Sequence, residues 1–111
     1  MAAGKPVVVE HTPTFVDGIS GTMVFDEMWP LASSLMDGAL VSTLKNVAEA
    51  SKLIAERNRT IAEGAGAASL AAALSHQVGD GKTVCIISGG NIDSKKLVNI
   101  ISGSVPQPTS M

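Results

Sequence analysis

The sequence predicts an α/β domain with a partial parallel sheet flanked by helices, and three observations carry that expectation. Short apolar runs alternate with segments of helical spacing. The strongest run, residues 83–87 (Thr-Val-Cys-Ile-Ile), is apolar on both faces, as a strand covered on both sides must be. Glycine-containing turns follow two such runs, at Gly64 and Gly66 and at Gly89 and Gly90.

The elements follow in chain order. Residues 7–10 are a β-branched run closely flanked by Pro6 and Pro13, and are expected to be extended. Residues 11–22 read as a loop punctuated by Pro13, Gly18 and Gly21. Residues 24–36 have helical spacing, with Met28, Leu31, Leu35 and Met36 on the apolar side. Pro30 falls inside this segment and is expected to kink it or divide it near Trp29. A turn at Asp37-Gly38 leads into a short strand candidate, residues 39–41.

Ser42 or Thr43 can cap the next helix, which runs to about Asn58. Its inner side carries Val47, Ala50, Ile54 and Asn58, and its outer side Glu49, Lys52, Glu56 and Arg57. Residues 60–62 read as a very short strand. Residues 63–67 (Glu-Gly-Ala-Gly-Ala) then open a helix over 68–76, made almost wholly of Ala, Leu and Ser. Small residues on every face imply a helix in close contact with its neighbours. Residues 78–82 form a turn before the strand at 83–87. Asp93 or Ser94 caps a last helix over 95–101. The organisation expected is one segment, 1–103, with a disordered tail at 104–111 that contains two prolines.

Composition narrows the function classes. The 111 residues suffice for one domain, at the small end of what buries a real core. Aromatic content is 3 %, so the core must come from Ala, Val, Ile, Leu and Met. A net charge of −2 gives no footprint for nucleic acid and no basic face for a membrane. The single cysteine, Cys85, excludes an internal disulfide and a multi-cysteine metal site, and reads as a small core residue. No metal site is expected. No apolar run approaches a membrane span, and the first residues lack the apolar stretch of a signal peptide, so the cytoplasm is the expected location.

The chemistry concentrates in two motifs. Ser88-Gly89-Gly90-Asn91 directly follows the strongest strand, at the carboxyl end where α/β ligand sites lie. Its glycines can bring backbone N–H groups close to a ligand, or can simply make a tight strand-to-helix turn. Glu63 stands at the mouth of a helix, where the dipole favours a carboxylate, and capping alone would explain it. His76 at a helix end, His11 in a loop and Trp29 as a packing residue call for no catalytic role.

Together, and in this order, the motifs are specific. Ile61-Ala-Glu-Gly-Ala-Gly-Ala-Ala, a helix, a Gly-Lys turn and Val84-Cys-Ile-Ile-Ser-Gly-Gly-Asn-Ile-Asp93 resemble the C-terminal signature of the serine/threonine dehydratases, the threonine ammonia-lyases. These are fold-type II pyridoxal-phosphate enzymes, related to serine racemase. Upstream, Pro13-Thr14-Phe15-Val16-Asp17-Gly18-Ile19 resembles the family's Pro-Thr-Ile-Ala-Asp-Gly loop. Val41-Ser42 and residues 55–59 (Ala-Glu-Arg-Asn-Arg) also fit. The resemblance spans residues 4–103 and implies the C-terminal part of the fold-type II large domain.

The resemblance implies pyridoxal 5′-phosphate as cofactor. Ser88 would hydrogen-bond its pyridine nitrogen. Gly89, Gly90 and Asn91 would shape the cofactor wall, Glu63 would lie beside the ring, and Asp17-Gly18 would belong to the substrate loop. It also implies departures. The family's Schiff-base lysine sits in an N-terminal Ser-x-Lys-x-Arg-Gly motif that has no counterpart here. Lys5, Lys45, Lys52, Lys82, Lys95 and Lys96 each read as surface or turn charges. The glycine-rich phosphate loop has no counterpart either. No catalytic residue is therefore assigned to this chain. It is expected to be a truncated dehydratase, inactive alone, that pairs with a second copy or a complementary N-terminal dehydratase segment. The alternative expectation is a non-catalytic remnant that self-associates or binds a small anion.

Overall fold

The computed structural model describes residues 2–108. Its helices are α1 (Trp29–Leu35), α2 (Leu44–Asn58), α3 (Gly64–Leu74) and α4 (Ser94–Ile101). α2 packs along α3, and α4 packs on α2.

α2 forms as its sequence requires. Thr43 is extended, and its hydroxyl accepts a hydrogen bond from the Asn46 N–H at 3.1 Å. Val47, Ala48, Ala50, Ser51 and Ile54 make its buried side. The opposite side carries the i,i+4 pairs Lys45–Glu49 and Lys52–Glu56, each at 3.8 Å. These pairs are partly or largely exposed and contribute only a few tenths of a kcal/mol each, so burial drives the helix. α2 stops at Arg59, which is left-handed at φ 57° and donates its N–H to the Ala55 carbonyl. Thr43→Ala is expected to cost about 1 kcal/mol, read as a lower urea midpoint with an unchanged slope.

α3 begins at Gly64, four residues before the expected run, so both glycines lie inside its first turn. A Cβ on Gly64 would stand 2.9 Å from Val16 and 3.0 Å from the Phe15 ring. Small residues thus let α3 press on the loop at 15–16 and, through Ala67 and Ala71, into the core. Across that core the Ser51 hydroxyl donates to the Ala62 carbonyl at 2.5 Å, tying α2 to the segment that leads into α3. The helix ends before His76, which is left-handed at φ 58°.

One helix expectation needs correction. The helical segment expected over 24–36 is only α1, because Pro30 occupies its first turn, where a missing N–H costs nothing. Pro30 therefore starts a helix and does not kink one; of the two expected alternatives, the division near Trp29 is the one observed. α1 buries no residue.

The parallel sheet is the larger correction: no β-strand is present among the described residues. The segments expected as strands, 39–41, 60–62 and 83–87, form no ladder. Residues 7–10 likewise form no ladder. Ser69 Oγ donates to the Ile86 carbonyl at 2.8 Å, Gln77 Nε2 donates to the Val41 carbonyl at 2.9 Å, and the Glu63 N–H donates to the Gly89 carbonyl at 3.0 Å. A parallel ladder needs neighbours set in register by crossovers, and here one backbone bond stands where a run of them would be. The burial read from residues 83–87 is also incomplete. Cys85 is half-buried against Ser69 of α3, whereas Val84 is 86 % exposed and Ile86 70 %.

The molecule is accordingly flat, 42 × 40 × 18 Å. Of the tail expected to be disordered, Val105 packs on the core and Pro106 is buried. Residues 109–111 lie outside the described ones.

Candidate functional site

Two helix N-termini and one loop meet at a cleft of about 340 Å³, lined by Phe15, Asp17, Glu63, Asn91, Ile92, Asp93, Ser94 and Lys96. Glu63 precedes α3 and Asp93 precedes α4. Both occupy the N-cap position, yet neither side chain makes a capping hydrogen bond. The helix dipoles still favour these carboxylates. Capping therefore does not account for Glu63: its carboxylate is turned to the cleft and to the neighbouring glycines.

Those glycines are packed on protein. A Cβ on Gly18 would lie 3.3 Å from Glu63 Oε2 and 2.9 Å from the Ala65 Cβ. A Cβ on Gly89 would collide with Glu63 Oε1, one on Gly66 with the Gly89 carbonyl, and one on Gly90 with the Ile61 carbonyl. The Glu63 carboxylate is thus held between Gly18 and Gly89, while its own N–H holds the Gly89 carbonyl. The first demand on these glycines is close approach of three backbone segments.

Of the residues singled out in the sequence, Asp17, Glu63 and Asn91 line the cleft together. Gly18 and Gly89 touch Glu63, and Gly90 backs onto Ile61. Ser88 is exposed, lies outside the cleft lining, and makes no hydrogen bond through its hydroxyl among the described residues. Among the described residues no group of three or more His, Cys, Asp or Glu is placed to hold a metal ion.

Lys96 is the residue that sequence reasoning passed over as a surface charge. Its ammonium lies 3.4 Å from Asp17 Oδ2, with the lysine side chain only 16 % exposed and the aspartate 63 %. With one partner that open to water, the pair contributes under about 1 kcal/mol. Its structural effect is to fasten the 13–21 loop to the first turn of α4. A clue was available in the sequence: a lysine in a helix's first turn opposes the dipole and calls for a partner elsewhere. Carboxylates outnumber the ammonium in the cleft, so it complements a cationic amino group better than a phosphate.

Residues 1–90 match the family of pyridoxal-phosphate dependent enzymes, and the chain belongs to that family. Within it the chain is threonine-dehydratase-like, of fold type II. It is 39 % identical over 100 residues to an L-threonine ammonia-lyase of Geobacter sulfurreducens, covering 88 % of this chain and 25 % of that protein. It is 33 % identical over 99 residues to a serine racemase of Oryza sativa subsp. indica, covering 83 % of this chain and 29 % of the racemase. A solved threonine deaminase, from the source abbreviated T.th., superposes with a TM-score of 0.75 at 30 % identity, covering 83 % of this chain and 34 % of that one. The chain spans about a quarter of the length of the L-threonine ammonia-lyases it matches. Among the described residues no helix is long and apolar enough to cross a membrane.

The residues present fit one end of the family's cofactor. The exposed Ser88 hydroxyl, free of protein partners among the described residues, suits a pyridine nitrogen. The carboxylate-rich cleft beside it does not suit the phosphate end.

Proposed function

We propose that this chain supplies one wall of the cofactor and substrate site of a pyridoxal-phosphate-dependent dehydratase, acting on L-threonine or L-serine to release a 2-oxo acid. The observation that supports this reading best is the meeting of Asp17, Glu63 and Asn91 at one cleft, with Gly18 and Gly89 packed on Glu63. These residues come from distant points of the sequence and belong to the motifs that carry the family resemblance. In this reading residues 1–103 act as one segment, with Val105 and Pro106 packed onto it.

Bound cofactor supplies the electron sink that loosens the substrate's Cα–H and β-hydroxyl bonds. The chain's residues do the rest of the work on this wall. Ser88 offers a neutral hydroxyl to the ring nitrogen. A carboxylate there would hold that nitrogen protonated; a hydroxyl leaves the ring a weaker sink, which suits elimination over transamination. Gly89, Gly90 and Asn91 would shape the wall, and Glu63, fixed between Gly18 and Gly89, would lie beside the ring. Asp17, tethered by Lys96, keeps the Asp17-Gly18 loop at the cleft mouth, where a carboxylate attracts the substrate ammonium.

The chain alone is inactive in this proposal, because none of its lysines stands in the family's Schiff-base motif. It works together with the dehydratase segment that carries that lysine, or with a second copy. The test is 2-oxo acid release from L-threonine and L-serine, with pyridoxal phosphate added. The chain alone is expected to match the cofactor-only control. Activity should arise when the N-terminal segment of a threonine dehydratase is supplied, and Ser88→Ala should reduce it. Release by the chain alone, lost in Ser88→Ala, would overturn its inactivity. A complex with the N-terminal segment that forms but gives no activity would overturn the wall assignment.

A further inference from the structure

An aspartate followed by glycine is the step of a polypeptide where the side-chain carboxyl is most open to attack by the next backbone nitrogen. Glycine has no Cβ to shield that nitrogen or to restrict the turn the chain must make. This chain has three such steps, Asp17-Gly18, Asp37-Gly38 and Asp80-Gly81. Its other aspartates precede Glu27 and Ser94, and its asparagines precede Val47, Arg59, Ile92 and Ile100, so a side chain guards each of those steps. Asp17, Asp37 and Asp80 are all exposed, and water reaches each of them. What separates them is how firmly the fold holds the backbone.

Asp17 is held through its carboxylate, its carbonyl and its neighbours. The carboxylate pairs with Lys96 at 3.4 Å. The carbonyl accepts from the Ser20 N–H at 3.3 Å and from Ser20 Oγ at 2.6 Å, which closes a turn over Gly18. Gly18 itself is pressed on Ala65 and Glu63, and Val16 is buried. Asp37 is held on one flank, because the N–H of Met36 is bonded to the Ala32 carbonyl at the end of α1. Asp80 has none of these restraints. It stands between Gly79 at φ 71° and Gly81 at φ 116°, and a Cβ on either glycine would meet nothing within 4 Å. Among the described residues no backbone hydrogen bond involves 78–82, and the Asp80 carboxylate forms no ion pair. These features belong to the turn itself, which joins α3 to residues 83–87.

We propose that Asp80 is a site of spontaneous isoaspartate formation, and that the fold protects the same chemical step at Asp17 in the cleft. The Gly81 nitrogen loses its proton and bonds to the Asp80 side-chain carboxyl carbon, whose hydroxyl leaves as water. The product is a cyclic imide. Water then adds back at one of its two carbonyls. Addition at the side-chain carbon restores aspartate. Addition at the backbone carbon breaks its bond to the Gly81 nitrogen, so the chain now runs through the side chain and the former backbone carbon becomes a free carboxylate. One water leaves and one returns, so the mass is unchanged and no oxidant or reductant takes part. The proposal is independent of what the cleft binds.

The test is to age the full chain at neutral pH, with and without urea. Peptides from a digest are then separated, and isoaspartate is read as a second peak of unchanged mass, assigned by backbone fragmentation. Without urea, isoaspartate should accumulate several-fold faster at Asp80 than at Asp17, with Asp37 between them and the helical dichroism kept. In urea the three steps should converge, because the sequence at each is Asp-Gly and the fold no longer separates them. Asp80→Glu should remove the peak at that position, since the longer side chain does not close the same ring readily. Equal rates at Asp17 and Asp80 in the folded chain would overturn the proposal. A difference that persists unchanged in urea would overturn the fold as its cause.

Discussion

Gly66→Ala is expected to destabilise the chain by about 3 kcal/mol, although alanine is the better helix former. Two effects compete. Inside a helix, alanine gains about 1 kcal/mol over glycine. Against this, the new methyl would collide with the Gly89 carbonyl oxygen and stand 3.0 Å from the Gly89 nitrogen. Both are backbone atoms, so no rotamer change can relieve the contact. The turn at 89–90 must move away from α3, and the hydrogen bond from the Glu63 N–H to the Gly89 carbonyl stretches with it. Losing that bond adds about 1 kcal/mol. The collision wins, and its damage falls where α3 meets the Ser88–Asn91 motif. Gly38→Ala is the control, because nothing lies within 4 Å of a Cβ there. Urea unfolding should separate the two variants clearly. Equal midpoints would show that the turn is free to move, and the argument for a rigid Glu63–Gly89 junction would fail.

That junction shows where the sequence could be read and where it could not. α2 was legible because everything that makes it is local: the Thr43 cap, apolar residues at helical spacing and a charged outer side. The helix after Asp93 was legible from its apolar spacing, although Asp93 makes no capping bond, and its start at Ser94 differs from the expectation by one residue. The family could be recognised because Glu63-Gly-Ala-Gly and Ser88-Gly-Gly-Asn occur in order at a characteristic spacing. The sheet was misread because residues 83–87 show only that their side chains are apolar. Whether they form a strand depends on neighbouring segments, and whether they are buried depends on a second covering layer. Neither is a property of five residues. Gly64, Gly66, Gly89 and Gly90 announced close approach correctly, but glycine cannot say what approaches. In this fold it is other backbone, Phe15 and the Glu63 side chain. Lys96 was passed over because its partner, Asp17, is 79 residues away in sequence.

Phe15→Ala should cost about 3–5 kcal/mol, the largest effect expected of any single substitution in this chain. Phe15 is the largest fully buried side chain, at 2 % exposure, in a protein with few aromatic residues to share that role. Its ring lies over Gly64, so the start of α3 is shaped around it, and it also lines the cleft beside Asp17. Truncation removes that apolar contact and leaves a hole under a loop that is otherwise fastened by Val16 and a weak Lys96–Asp17 pair. Small domains hold only about 5–15 kcal/mol in total, and a chain of 111 residues belongs at the lower end. The variant should therefore keep at most about 2 kcal/mol, seen as a much lower thermal midpoint and a reduced helical dichroism signal. Phe15→Leu separates packing from any demand for an aromatic ring. Leucine can still fill most of the space above Gly64, so it should retain the fold and lose about 1 kcal/mol. If Phe15→Ala instead kept its full helical signal and a cooperative thermal transition, the 13–21 loop would be dispensable to the core. Asp17 would then be held at the cleft by the packing of Val16 on α3 and by Lys96, and the loop's place in the proposed site would rest on those two contacts.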